Sequence, residues 1–492
     1  MLKLSFLGCF SIVMMLQAVA AQACDPACQQ LIARASAWEQ SQRASEDDSF
    51  YSVPSNYSTS LKPGSLLKLE IATNLTNYTV PASLTVSRFI YTTTDLSGTI
   101  LPASAYILWP FAPLTSQSSQ AGFETSSTAQ LETELHYPFV AWGHGTAGTF
   151  GPCAPSNYRA LQYHFQVPFA LASQGIAVVA PDYLGLGVKQ LANGTRIPHP
   201  WASGPSLASD LANAITAARV AFPSMISQDG PFVAMGHSQG ALAAWSFAER
   251  MANDELTLPG YKGTVAIAPP LRVLESIDRA SQNVSLPWAS AILGIQNLLM
   301  HSITTVYPQY GMAGLTQDGM SRWNAITEVD GCLPVKTAAG IGLLPSNIAH
   351  ANWTQNPYVQ QFNKRTLTGG KKIKGPLLAL VGELDPLVQP DSLSEVIDET
   401  CKAISINDSL EFNVYKGLSH FPLVQGSQQK WMGWIKDHLL EKTDQNLSRR
   451  GGLEPCNSKT IQGLQRGATN QGVFPNFLVA SADVGVAWEY AL

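Results

Sequence analysis

From Pro138 onward, short apolar runs alternate with longer helix-period segments, and this rhythm limits the possible folds more than any other feature of the chain. Phe139–Trp142, Ile176–Ala180, Phe232–Met235, Thr264–Ala268, Leu377–Val381 and Phe412–Tyr415 have the length and composition of buried strands. Between and after them the pattern predicts helices over Ser156–Gln174, Ser206–Phe222, Gln239–Asn253 and Gln428–Lys442. Leu207, Leu211, Ile215, Ala218 and Phe222 share one helical face, and Pro223 stops that helix. Trp431, Ile435 and Leu439 do the same in the last one. Strands apolar on both faces must be covered on both. The expected fold is therefore α/β, a mostly parallel central sheet with helices on either side.

Ahead of this region, Arg88–Thr94 and Thr99–Leu108 read as a hairpin around the turn Asp95-Leu96-Ser97-Gly98. A Ser/Thr/Gln-rich stretch from Thr115 to Thr128 reads as a surface loop. Between Pro270 and Thr368 the rhythm breaks, which marks an insertion. Within it Pro287–Tyr307 is nearly free of charge. It is either a helix buried between lid and core, or a cap whose apolar underside holds an acyl chain or meets a lipid interface. The expected division is a signal segment over 1–23, a first core part over 24–270, a lid over 271–370, a second core part over 371–445 and a tail over 446–492.

Composition narrows the function classes. A formal charge of −5 with 13% charged residues does not suit nucleic acid or an anionic membrane surface. Lys371, Lys372 and Lys374 lack the glycine spacing of a phosphate loop. Lys3, the apolar stretch Leu4–Val19 and Ala21-Gln22-Ala23 before Cys24 form a secretory signal, too short to be a membrane anchor. No later segment is long and apolar enough to span a membrane, so an exported chain is expected. Acceptor tripeptides for N-glycosylation at Asn56, Asn74, Asn77, Asn193, Asn283, Asn352, Asn407 and Asn446 fit that route. Cys24, Cys28, Cys153, Cys332, Cys401 and Cys456 then remain, an even number suited to three disulfides whose pairing the spacing does not choose. No Cys-x2-Cys pair or His-Glu-x-x-His segment argues for a metal.

Gly236-His237-Ser238-Gln239-Gly240 sits where the Phe232 strand ends and the Gln239 helix begins. A serine on so sharp a turn is a candidate nucleophile, and its flanking glycines permit close backbone approach. A serine hydroxyl needs a base, and the base an orienting acid. The loop after Leu377–Val381 supplies Asp385, with Glu383 as a substitute. The loop after Phe412–Tyr415 supplies His420. For the oxyanion, the N–H of Gln239 is one donor. The loop Gly143-His144-Gly145-Thr146-Ala147-Gly148 offers a second, with Thr146 preferred for its hydroxyl and Gly145 beside it. His144 and His237 are expected to be structural, with the His237 side chain turned away from the reaction.

Trp142-Gly143-His144-Gly145-Thr146, Cys153-Ala154-Pro155-Ser156, Val178-Val179-Ala180-Pro181-Asp182-Tyr183-Leu184-Gly185, the Ser238 pentapeptide, Asp385 and His420 together resemble the fungal secretory lipases of the lipase A type. The resemblance spans roughly residues 85 to 440. It implies an α/β-hydrolase core, a lid inserted after the nucleophile's helix, no cofactor, a Cys153–Cys332 bridge and hydrolysis of carboxylic esters including acylglycerols. It departs at Thr146, near where relatives carry an acidic residue. The expected function is a secreted serine ester hydrolase acting on a small-molecule ester or acylglycerol, with transient contact at a lipid–water interface. The alternatives are a carboxylesterase for short or aromatic esters, a serine peptidase, or an inactive binding protein on the same fold.

Overall fold

The computed structural model describes residues 24–45, 48–115, 136–162, 167–286, 289–440 and 455–463. The signal segment, all but Thr115 of the Thr115–Thr128 stretch, Pro287, Trp288 and Asn446 lie outside them.

Ten strands form one sheet: β1 (Leu66–Glu70), β2 (Thr85–Thr94), β3 (Ile100–Trp109), β4 (Phe139–Gly143), β5 (Ala177–Pro181), β6 (Phe232–His237), β7 (Tyr261–Ile267), β8 (Leu377–Gly382), β9 (Leu410–Tyr415) and β10 (Cys456–Ile461). Their spatial order is β1-β2-β3-β5-β4-β6-β7-β8-β9-β10. β1, β2, β3 and β5 pair antiparallel, and every pair from β5 to β10 is parallel. β4, β5, β6 and β8 are buried along their whole length, as strands covered on both faces must be.

Helices Gly204–Ala221 and Gln239–Ala252 pack on each other and on the sheet, while Gln428–Leu439 packs against β6 and β7. Among the described residues between β7 and β8 there is no strand, and seven α-helices and two 3-10 turns run from Val273–Gln282 to Pro357–Thr366. The apolar Pro287–Tyr307 stretch forms two helices, Ala289–Leu293 and Gln296–Val306, broken around Gly294. Disulfides join Cys24 to Cys28, Cys153 to Cys332 and Cys401 to Cys456.

One sequence expectation fails. Ser156–Gln174 is not one helix: the described part is a 3-10 turn at Pro155–Asn157 and a single turn of helix at Pro168–Ala172. Leu161 has φ +50°, outside the helical region, and the Ser156 N–H and hydroxyl are both taken by the Asp182 carboxylate. Within the 446–492 tail, β10 adds a parallel edge strand to β9.

The N-terminal helix Pro26–Ser41 lies against the lid helix Leu333–Gly340. Its Glu39 carboxylate accepts the N–H groups of Cys332 and Val335 at 2.8–3.2 Å, capping the lid helix from another part of the chain.

Candidate active site

β6 ends at His237, and Ser238 turns the chain into the next helix with φ +55°, ψ −123°. A non-glycine residue held there is strained, which sets its side chain clear of both strand and helix. The turn closes because a Cβ on Gly236 would strike the Gly240 carbonyl, and one on Gly240 would strike the Gly143 carbonyl. β4 and the nucleophile's helix are therefore in backbone contact, which brings the Gly143–Gly148 loop to Ser238.

Asp385 lies on the turn after β8. One carboxylate oxygen accepts the N–H groups of Leu387 and Val388, each at 2.9 Å; the other meets His420 Nδ1 at 2.8 Å. Both side chains are almost wholly buried. This arrangement requires the Nδ1–H tautomer of His420 and leaves Nε2 as the basic atom. Glu383 is exposed; it binds the Gly417 N–H at 2.9 Å and so braces the loop that carries His420.

His237 Nε2 donates to the His420 carbonyl at 3.0 Å, and the two rings lie 4.6 Å apart between centroids. The residue before the serine thus holds the backbone of the histidine loop. Burial drives the His237 ring well below the ordinary histidine pKa, so it stays neutral. Among the described residues, Ser238 makes no side-chain hydrogen bond to His420; such a bond often tightens only once substrate is bound.

The N–H of Gln239 opens its helix, where no intrahelical acceptor is in reach. Along Phe139–Phe150 every residue is buried except Thr146, and along Phe232–Glu249 every residue except Ser238. Thr146 Oγ1 accepts from Trp201 Nε1 at 2.9 Å and donates to Gln239 Oε1 at 3.3 Å. Gly145 is buried beneath it, its carbonyl 2.7 Å from His144 Nδ1. Burial lowers His144 to a pKa of about 4; its Nε2 faces the Asp182 carbonyl at 3.2 Å, tying the loop to β5. Asp182 itself binds Ser104 Oγ and Ser156 Oγ, each at 2.6 Å, and the Ser156 N–H at 2.8 Å.

The structure therefore pairs Asp385 with His420, ties the His420 backbone to His237, the residue before Ser238, and joins Thr146 to Gln239. Sequence reasoning missed Trp201, His199 and the Gln239 side chain. His199 and Trp201 flank Pro200 on one loop and Gln239 opens a helix, and none of the three carries a periodic signal.

A narrow cleft lies between the Gln239–Ala252 helix and the helices inserted between β7 and β8. Ala202, Leu242, Leu299, Ile303, Val359 and Phe362 line it. No helix among the described residues is long and apolar enough to cross a membrane, and no group of His, Cys, Asp and Glu among them could hold a metal ion.

The model of the "Alpha/beta hydrolase family" matches residues 140–429. No curated protein matches the chain. Among solved structures, Candida antarctica lipase A in its closed state is 16% identical, with a TM-score of 0.61 over 88% of this chain and 94% of that one. The rice cell wall degrading esterase LipA from Xanthomonas oryzae is 18% identical, with a TM-score of 0.55 over 79% and 100%. A putative hydrolase from Legionella pneumophila is 17% identical, with a TM-score of 0.55 over 79% and 99%. At these identities the likeness is one of fold. With a family match over more than half its length and the sheet, strained serine turn and strand-end loops described above, the chain belongs to the alpha/beta hydrolase family.

Proposed function

We propose that this protein is a secreted serine ester hydrolase, in the first place a triacylglycerol lipase, with Ser238 as nucleophile, His420 as base and Asp385 as the acid that orients it. The buried 2.8 Å Asp385–His420 pair, whose backbone is bonded to His237 beside the strained serine, supports the reading. In this reading His420 Nε2 takes the Ser238 proton as Oγ bonds to the ester carbonyl carbon. The resulting oxyanion is held by the N–H of Gln239 and by Thr146. The ester C–O bond then breaks, the alcohol leaves with the proton, and water repeats the sequence to free the acid.

The apolar side chains lining the narrow cleft beneath the inserted helices are of the kind that contact an acyl chain, and exposed Ile341 and Leu344 suit a lipid surface. Export is supported by three disulfides and by the exposure of every described acceptor asparagine: Asn56, Asn74, Asn77, Asn193, Asn283, Asn352 and Asn407. The division into core (24–270 and 371–445) and lid (271–370) is retained, with β10 in the final segment. A carboxylesterase for short or cell-wall esters is the second reading, favoured by the likeness to the Xanthomonas esterase.

A fluorophosphonate probe should label the wild type and leave Ser238→Ala unlabelled; equal labelling of the two rejects the mechanism. Rates on p-nitrophenyl esters of rising chain length and on emulsified triolein separate lipase from esterase.

A further inference from the structure

A single line of hydrogen bonds passes beneath the serine turn, and each donor in it is dictated by the one before. The Leu184 carbonyl can only accept, and His199 Nδ1 lies 2.9 Å from it, so the proton of the neutral ring is on Nδ1. His199 Nε2 is then an acceptor, and its partner at 2.9 Å, Gln239 Nε2, is an amide donor. This fixes the Gln239 amide with Oε1 toward Thr146. Trp201 Nε1 can only donate, and it fills a lone pair of Thr146 Oγ1. The Thr146 hydroxyl proton has one direction left, toward Gln239 Oε1. Burial holds the His199 ring neutral, at a pKa near 3, so the direction does not reverse.

We propose that His199 and the Gln239 side chain are positioning residues that aim the Thr146 hydroxyl proton at the Ser238 turn, making this hydroxyl the second oxyanion donor. The proposal rests on the Ser238 mechanism above. At rest the hydroxyl makes a long 3.3 Å bond to a neutral amide oxygen. An anionic oxygen forming beside Ser238 is the stronger acceptor and draws the same proton by a small rotation about the Thr146 side chain. Trp201 donates into the same oxygen throughout, and this polarises the hydroxyl toward donation. An acidic residue in this place would have to hold a proton to donate. A threonine carries its proton at any ordinary pH, and the relay supplies its direction.

A double-mutant cycle tests the assignment, with kcat and KM measured on a short p-nitrophenyl ester and active sites counted by fluorophosphonate titration. Thr146→Val should lower kcat on the order of 10²-fold with KM unchanged, and Thr146→Ser should restore most of it. Gln239→Leu and His199→Phe should each lower kcat about tenfold in the native background. In the Thr146→Val background neither should lower it further, since their effect passes through the missing hydroxyl. Additive losses, or a Thr146→Val protein with native kcat, overturn the proposal while labelled Ser238 leaves the mechanism standing. A wild type that neither labels nor turns over the ester removes both.

Discussion

Asp385 and Glu383 stand two residues apart on one turn, and burial separates their roles. Asp385 is enclosed, with two backbone donors fixing one oxygen so that the other faces His420; Glu383 is exposed and spends its carboxylate on the Gly417 N–H. Asp385→Asn would present an amide to the His420 ring and favour the wrong tautomer, lowering kcat by roughly 10⁴-fold. Glu383→Gln keeps an acceptor for Gly417 and should stay within a few-fold of native. Steady-state kinetics on one soluble ester compare the two, and a larger loss for Glu383→Gln would reverse the assignment. The strand-end positions of Ser238, Asp385 and His420 were legible because each follows a short apolar run. The side-chain relay was not, because it joins residues from four stretches of chain whose meeting depends on tertiary structure.

Elements were legible in proportion to their apolar content. β4, β5, β6 and β8 are short runs buried on both faces, and their register leaves no other use for the residues. The predicted Ser156–Gln174 helix failed because its periodicity competes with a buried carboxylate that captures Ser156. β10 had no apolar signal at all: Cys456-Asn457-Ser458-Lys459-Thr460-Ile461 is mostly exposed, and it stays in place by the ladder to β9 and the bridge to Cys401. Replacing Cys401 and Cys456 together by serine opens a loop of 55 residues. Chain-entropy arguments put the loss at up to about 4 kcal/mol. Denaturant midpoints should fall while ester turnover at 25 °C is retained, because β10 is the edge strand farthest from the Ser238 side of β9. Loss of turnover in folded protein would assign β10 a part in the site.

Across the whole molecule, burial raises three carboxyls from ordinary values to about 7: Glu39 under the lid, Asp210 on the Gly204–Ala221 helix, and Glu249 on the nucleophile's helix. Backbone donors, and Lys371 beside Glu249, offset part of that cost. Between about pH 4 and 7 the folded chain holds protons that the unfolded chain has released. These three groups therefore lower stability as pH rises through that window, while the buried His144, His199, His237 and His301, neutral in the fold and protonated when unfolded, raise it over much of the same range. A carboxyl shift of this size corresponds to roughly 3 kcal/mol per group. Removing one carboxyl isolates its share: on going from pH 5 to pH 8 the thermal midpoint of Glu39→Gln should rise relative to that of the wild type, and an unchanged pH profile would contradict the account.

The Cys153–Cys332 bridge, with the bond from the Leu333 N–H to the Ala147 carbonyl, sews the middle of the lid to the loop that bears Thr146. A rigid swing of the Val273–Thr366 insertion would therefore pull the Gly143–Gly148 loop with it, and a motion that spared this loop would have to leave Cys332 and Leu333 in place.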